Sequence, residues 1–177
     1  MNYGGWLRVI TFGRNPKLTL VRIVIWAVAC VLVFKIALLR VKVDGISMVP
    51  TYQDQSKNWI NRLAYLRHEP KRGDVVAIRL VQANDFFSQL EPPGVMLLKR
   101  IIGLPGDTVA FADGRAVING EILDEPYEKE RDCYWNIPPV KLAADEYYVV
   151  GDNRSMPEQN HTKGVFKRNQ ILGKIMR

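Results

Sequence analysis

Residues 95–120 read VMLLKRIIGLPGDTVAFADGRAVING. Val95–Ile102 is an aliphatic run broken only by Lys99 and Arg100, and the glycines and proline of Gly103–Asp107 stop it. Two further apolar runs, Thr108–Ala112 and Ala116–Ile118, flank Asp113-Gly114, a hairpin dipeptide, and Asn119-Gly120 makes a second tight turn. This punctuation predicts short antiparallel strands. Alternation sets Leu97, Lys99 and Ile101 on one face of the first strand and Leu98, Arg100 and Ile102 on the other. One of the two cations is therefore expected to point the way the apolar side points.

Working outward, the same grammar predicts strands at Leu39–Val43, Asn58–Ile60, Asp74–Ile78 and Tyr147–Val150. Asn61–Leu66 reads equally as one helical turn or another strand. Val81–Gly94, VQANDFFSQLEPPG, reads as a loop. Its Phe86, Phe87 and Leu90 either tuck onto the sheet as a satellite cluster or form a surface for membrane or substrate. The expectation is a mainly β domain over 40–177, an antiparallel sheet in which about 108–146 form a small hairpin insertion.

Before that domain, Leu18–Leu39 reads LTLVRIVIWAVACVLVFKIALL, 22 residues with charges only at Arg22 and Lys35. A bilayer-spanning helix needs about 20 mostly apolar residues, and both charges sit near the ends, where long side chains snorkel. A cleaved export signal would be followed by a small-x-small site, but Lys35-Ile-Ala-Leu-Leu-Arg-Val-Lys follows. A buried core helix would show a polar face, which Trp26, Val28, Cys30 and Leu32 deny. The segment is expected to be an uncleaved membrane anchor behind a basic N-terminal segment, 1–17.

The net charge of +7 resolves in the same way. Residues 1–42 hold seven basic residues and no acidic one, and the remainder carries 18 of each sign. The body of the chain is formally neutral, so nucleic acid is not an expected partner. The basic residues Arg8, Arg14 and Lys17 bias the N-terminus to the cytoplasm and the domain to the far side. Two cysteines, Cys30 and Cys133, and two histidines, His68 and His161, give no metal-ligand spacing, and no metal or cofactor is expected.

Chemistry is carried by three segments. Val43-Asp44-Gly45-Ile46-Ser47-Met48-Val49-Pro50-Thr51 sets a serine between a glycine that permits a turn and a stiffening proline. Such a loop fixes one hydroxyl and its own N–H. Lys99 is either a snorkelling surface lysine or a lysine desolvated to act as a base. The second needs a shift of roughly 3 units, within the range that burial produces. A serine with a lysine base needs no histidine. Tyr147–Arg154 is an apolar strand ending in Gly151-Asp152-Asn153, a turn whose Asp152 is placed to pair with Arg100 or Arg154.

Together these segments resemble the bacterial type I signal peptidases, membrane proteases with a Ser/Lys dyad. The matching runs, in the family's order, are VDGISMVPT, EPKRGDVVAI, LLKRIIGLPGDTV, INGEILDEPY and VVGDNR. The resemblance implies a signal-peptidase-like antiparallel β-sheet catalytic domain behind one N-terminal transmembrane helix. It implies Ser47 as nucleophile, Lys99 as general base and the N–H of Ser47 as oxyanion donor. Gly45 stands where some members carry a hydroxyl. Val41, Val43, Met48, Leu97 and Leu98 match the pocket walls for substrate residues −1 and −3, and Tyr52, where leucine is usual, narrows the −1 pocket. Arg100, Asp107 and Asp152, with the neighbouring Asn153 and Ser155, match the bracing of the site.

The activity implied is cleavage of signal peptides from exported preproteins after Ala-x-Ala, on the outer side of the bacterial cytoplasmic membrane. The chain departs from the family after Arg154. Where a Ser-x-Asp-Ser-Arg run is usual it has Pro157-Glu158-Gln159-Asn160-His161. The lysine-orienting serine becomes Pro157, the partners of a bracing ion pair become Gln159 and His161, and Ser155 lies two residues early. Two other readings accommodate the departure. One is a membrane-tethered homologue that binds signal peptides without cutting them. The other is a peptidase dedicated to one substrate, such as a pilin or conjugation protein.

Overall fold

The structure, a computed structural model, describes residues 16–80, 96–127 and 134–176. The chain divides into two compact units, Met1–Leu38 and Leu39–Arg177. The first contains helix α1, Pro16–Ala37. Its large apolar side chains, among them Leu20, Ile25, Trp26 and Phe34, are exposed. By length and composition α1 can cross a membrane. It ends two residues before the expected Leu39, because Leu38–Lys42 alternates and joins the sheet as β1.

The second unit is built from two antiparallel sheets. After β1 come β2 (Lys57–Asn61), β3 (Val75–Arg79) and β4 (Met96–Gly103), then β5 (Thr108–Ala112), β6 (Arg115–Ile118), β7 (Glu121–Ile122) and β8 (Ile137–Lys141). The remaining strands are β9 (Glu146–Val150), β10 (Gly164–Lys167) and β11 (Ile171–Met176). A seven-stranded sheet runs β1-β2-β11-β3-β4-β9-β10, and a four-stranded sheet runs β7-β6-β5-β8. The seven strands expected from the sequence are present within a residue or two at each end. Asn61–Leu66 is neither helix nor strand after its first residue. It is a string of turns, with Asn61 Oδ1 accepting from Leu63 N–H at 2.9 Å. The loop expected at Val81–Gly94 lies outside the described residues.

The apolar side chains sort into clusters on the two faces of the large sheet. Ile102, Tyr148 and Val150 pack with Val109, Phe111, Ala116, Ile118 and Trp135, which joins the two sheets. Their chain neighbours Ile101, Tyr147 and Val149 pack with Val76, Ile78 and Ile171 in another cluster. Consecutive residues point to opposite faces, so both faces are covered at the centre. This corrects the expectation that only one of the adjacent cations is turned inward: Lys99 is 2% exposed and Arg100 4%. Charges are almost never buried unpaired, so each must be accounted for.

Candidate active site

The site is built from three pieces of backbone: the loop after β1, the middle of β4 and the turn after β9. In the loop, Gly45 has φ +98°, a conformation that a side chain resists, and its N–H donates to Asp54 Oδ1 at 2.8 Å. Two further bonds, Val49 N–H to Ile46 O at 3.1 Å and Tyr52 N–H to Met48 O at 2.9 Å, coil the chain around Ser47. The turn after β9 clamps the loop from outside. Asn153 N–H donates to Ser47 O at 3.1 Å, and Asn153 Nδ2 donates to Ile46 O at 3.1 Å.

Held in this way, Ser47 Oγ lies 2.6 Å from Lys99 Nζ. Lys99 sits in β4 between Val76 of β3 and the end of β9. Burial pulls its amine down from the ordinary lysine value to about 8, and the more distant charge of Asp152 opposes the shift only in part. A substantial fraction of the amine is therefore neutral near physiological pH, which a snorkelling lysine would not be.

Arg100 is buried too, but it is paired. Its Nε donates to Asp152 Oδ1 at 2.8 Å and its Nη2 to Asp152 Oδ2 at 2.6 Å, while Nη1 reaches Gly73 O at 2.7 Å. The aromatic ring of Tyr127 covers the guanidinium, 3.8 Å from its centroid. Of the two partners open to Asp152, Arg100 is therefore the one it takes. Arg154 binds Glu125 at 2.5 Å, and both side chains are buried. Asp152 also accepts the Thr51 hydroxyl at 2.5 Å, which returns the brace to the serine loop.

Not every expected site residue gathers here. Val41, Val43, Met48, Leu97 and Leu98 line one cleft with Ser47 and Lys99, together with Ile60 and Ala77. Tyr52, expected on the −1 pocket, instead lines a separate cavity with Val75, Arg100 and Ile175, because the Met48–Tyr52 turn carries its ring away from the cleft. Asp107 makes its contacts at the β4–β5 corner, with Arg72 at 2.9 Å and Leu104 N–H at 2.7 Å. Ser155 N–H caps Asn153 Oδ1 at 3.2 Å. The sequence reading gave no role to Thr51, Glu125, Tyr127 or Trp135. Thr51, Glu125 and Tyr127 stand in quoted motifs, but their contacts are too distant along the chain to be read from spacing.

The chain as a whole also finds a place among known proteins. The family model described as signal peptidase, peptidase S26, matches residues 17–177. The chain belongs to the signal peptidase S26 family. It is 35% identical over 132 residues to signal peptidase I of Leptolyngbya laminosa, covering 73% of this chain and 63% of that one. It is 34% identical over 135 residues to the probable signal peptidase I-2 of Synechocystis, covering 75% and 58%. Against signal peptidase I S of Bacillus subtilis it is 35% identical over 167 residues, 84% of each chain. A crystal structure of a signal peptidase I from Enterococcus faecalis aligns with TM-score 0.44 and 25% identity over 61% of this chain and 97% of that one. The match thus spans 63% and 58% of the length of the first two of these relatives.

Proposed function

We propose that the chain is a membrane-anchored serine endopeptidase that releases signal peptides from exported preproteins. The observation that carries this reading is the 2.6 Å contact between Ser47 Oγ and a Lys99 amine buried at 2% exposure. Neutral Lys99 takes the Ser47 proton as Oγ attacks the carbonyl carbon after a small residue. The Ser47 N–H stabilises the tetrahedral oxyanion, a kind of contact typically worth about 3 kcal/mol. Protonated Lys99 then hands its proton to the leaving amine. It next deprotonates a water that hydrolyses the acyl-serine ester.

The cleft walls Val43, Met48, Leu97 and Leu98 are apolar, with Lys42 and Asp44 also on the lining. They suit Ala at −1 and −3 and exclude larger residues. Helix α1 is read as the anchor, with the N-terminus cytoplasmic and residues 40–177 as the catalytic domain outside, within which 108–146 form the insertion. Confinement to one bilayer raises the effective concentration of a membrane-held substrate. The desolvated amine beside the serine favours turnover over the binding-only reading.

The test is cleavage of an Ala-x-Ala preprotein by the detergent-solubilised chain beside its Ser47→Ala and Lys99→Ala variants. Cutting at the expected bond by the wild type alone supports the dyad. Cutting by either variant sinks it, and preprotein binding without cutting by the wild type favours the binding-only homologue.

A further inference from the structure

Gly151 directly follows β9, and its surroundings connect the departed segment to the candidate dyad. The register Ile101↔Val149 and Arg100↔Val150, carried one residue further, sets Gly151 opposite Lys99. Cross-strand partners project to one face with Cβ atoms about 5 Å apart. A Cβ built on Gly151 would lie 2.1 Å from Ser47 O and 2.7 Å from both Cε1 and Nε2 of His161. The His161 ring thus occupies the place of the side chain that would face Lys99.

The ring is held firmly. It is 4% exposed, and it meets the Trp135 ring edge-on with centroids 4.9 Å apart. Trp135 is itself fixed by its Nε1 donating to Met156 O at 3.0 Å. Neither imidazole nitrogen makes a hydrogen bond of standard geometry among the described residues, the Thr162 backbone being only a weak neighbour. Among the described residues the ring feels the charges of Lys99, Arg154 and Lys163, the second paired with Glu125 and the third with Glu158. Burial first, and those cations after it, hold the imidazole far below its ordinary value, at about 3. Such a shift favours the uncharged imidazole at neutral pH.

We propose that His161 is a positioning residue for Lys99, its uncharged ring filling the slot left by Gly151 and keeping water from the amine. The inference rests on the reading of Ser47 and Lys99 as nucleophile and base. It also accounts for the departed segment. The resemblance places an arginine here with an aspartate two residues before it, and this chain has a neutral ring and Gln159 instead. Of the two positions only 161 is buried, and a neutral ring there adds no second buried cation beside Lys99.

The experiment uses the full chain in detergent with His161→Ala and His161→Phe. Two midpoints are read: the acid limb of kcat/KM on an Ala-x-Ala preprotein, and the pH dependence of Lys99 acetylation by acetic anhydride, followed by mass spectrometry. His161→Ala admits water and raises both midpoints by about one unit or more, so that activity lost at pH 7 returns by about pH 10. His161→Phe keeps the plug and leaves both near the wild-type value. An alanine variant with native near-ultraviolet circular dichroism and an unmoved midpoint overturns the proposal. So does a phenylalanine variant that moves as far as alanine. If alanine fails to fold, His161→Asn carries the same expectation. Should the wild type fail to cleave, the proposed function fails, while the acetylation midpoints still judge His161.

Discussion

Thr51 donates its hydroxyl proton to Asp152 at 2.5 Å, across 101 positions of sequence, and the same carboxylate grips Arg100 with both oxygens. One side chain therefore ties the serine loop to the lysine strand. Asp152→Ala leaves Arg100 buried without its counter-ion, which typically costs about 3–5 kcal/mol. The expected outcome is a large fall in the denaturation midpoint together with lost cleavage. Thr51→Val removes only the second link, so its cleavage rate should fall more than its stability. Chemical denaturation beside initial rates separates the two.

Lys99 makes stability depend on pH in an unusual direction. The unfolded amine ionises at about 10.4, and the folded one at about 8. Between those values the unfolded chain binds the additional proton, so folding becomes more favourable as pH rises through the window. Below it the buried cation costs about 3 kcal/mol, at 1.36 kcal/mol per unit. Lys99→Met is therefore expected to be inactive yet more stable than wild type at pH 7, with the gap closing above about pH 10. Urea denaturation across that range checks it.

The same value sets the rate profile. The kcat/KM of the wild type should climb with unit slope and level off above about pH 8, reporting a single deprotonation. His161, at about 3, should leave no second inflection above pH 5. A second inflection near 6 would mean that the imidazole titrates in the active enzyme.

Gly151→Ala tests the closest approach in the site, since its new Cβ would stand 2.1 Å from Ser47 O. The loop or the turn has to move, and a displacement of about 1 Å is enough to cost on the order of 100-fold in rate. Gly120→Ala is the control, in the turn between β6 and β7 with nothing within 4 Å of its added Cβ. It carries only the strain of φ +90° and should retain cleavage.

Leu98→Ala should widen the cleft. Relative kcat/KM for substrates with Val and Ala at −1 is expected to shift toward Val by about 10-fold, within what a few methylenes supply. An unchanged ratio would remove Leu98 from the specificity wall.

What the sequence disclosed depended on how local the cause was. The hairpin at Asp113-Gly114 and the turn at Asn119-Gly120 were readable because the dipeptides themselves tolerate left-handed backbone, and φ is 48° and 77°, then 54° and 90°. Ser47 and Lys99 were singled out from their motifs, and the fold brings the two side chains to 2.6 Å. Strand β8 was not, because Pro138 and Pro139 argue against a strand, and it survives as an edge where missing N–H groups are tolerated. Strand β11 escaped because its partners, β2 and β3, lie far back in the chain; β10, paired with the preceding β9, is a short run, GVFK, with no apolar pattern of its own. The inward turn of both Lys99 and Arg100 was missed for a similar reason: alternation describes one strand, while the second covering layer comes from residues that local pattern cannot place.

Strand β11 has a consequence for timing. It lies downstream of every other strand, yet it runs between β2 and β3 and joins the β1-β2 ribbon to the rest of the large sheet. Val41 and Ile60 reach the cleft from one side of that seam, and Leu98 and Lys99 from the other. While the polypeptide is being made, the large sheet behind the cleft stays open at that seam until residues 171–176 emerge. On the proposed reading as a peptidase, full cutting competence waits on that strand.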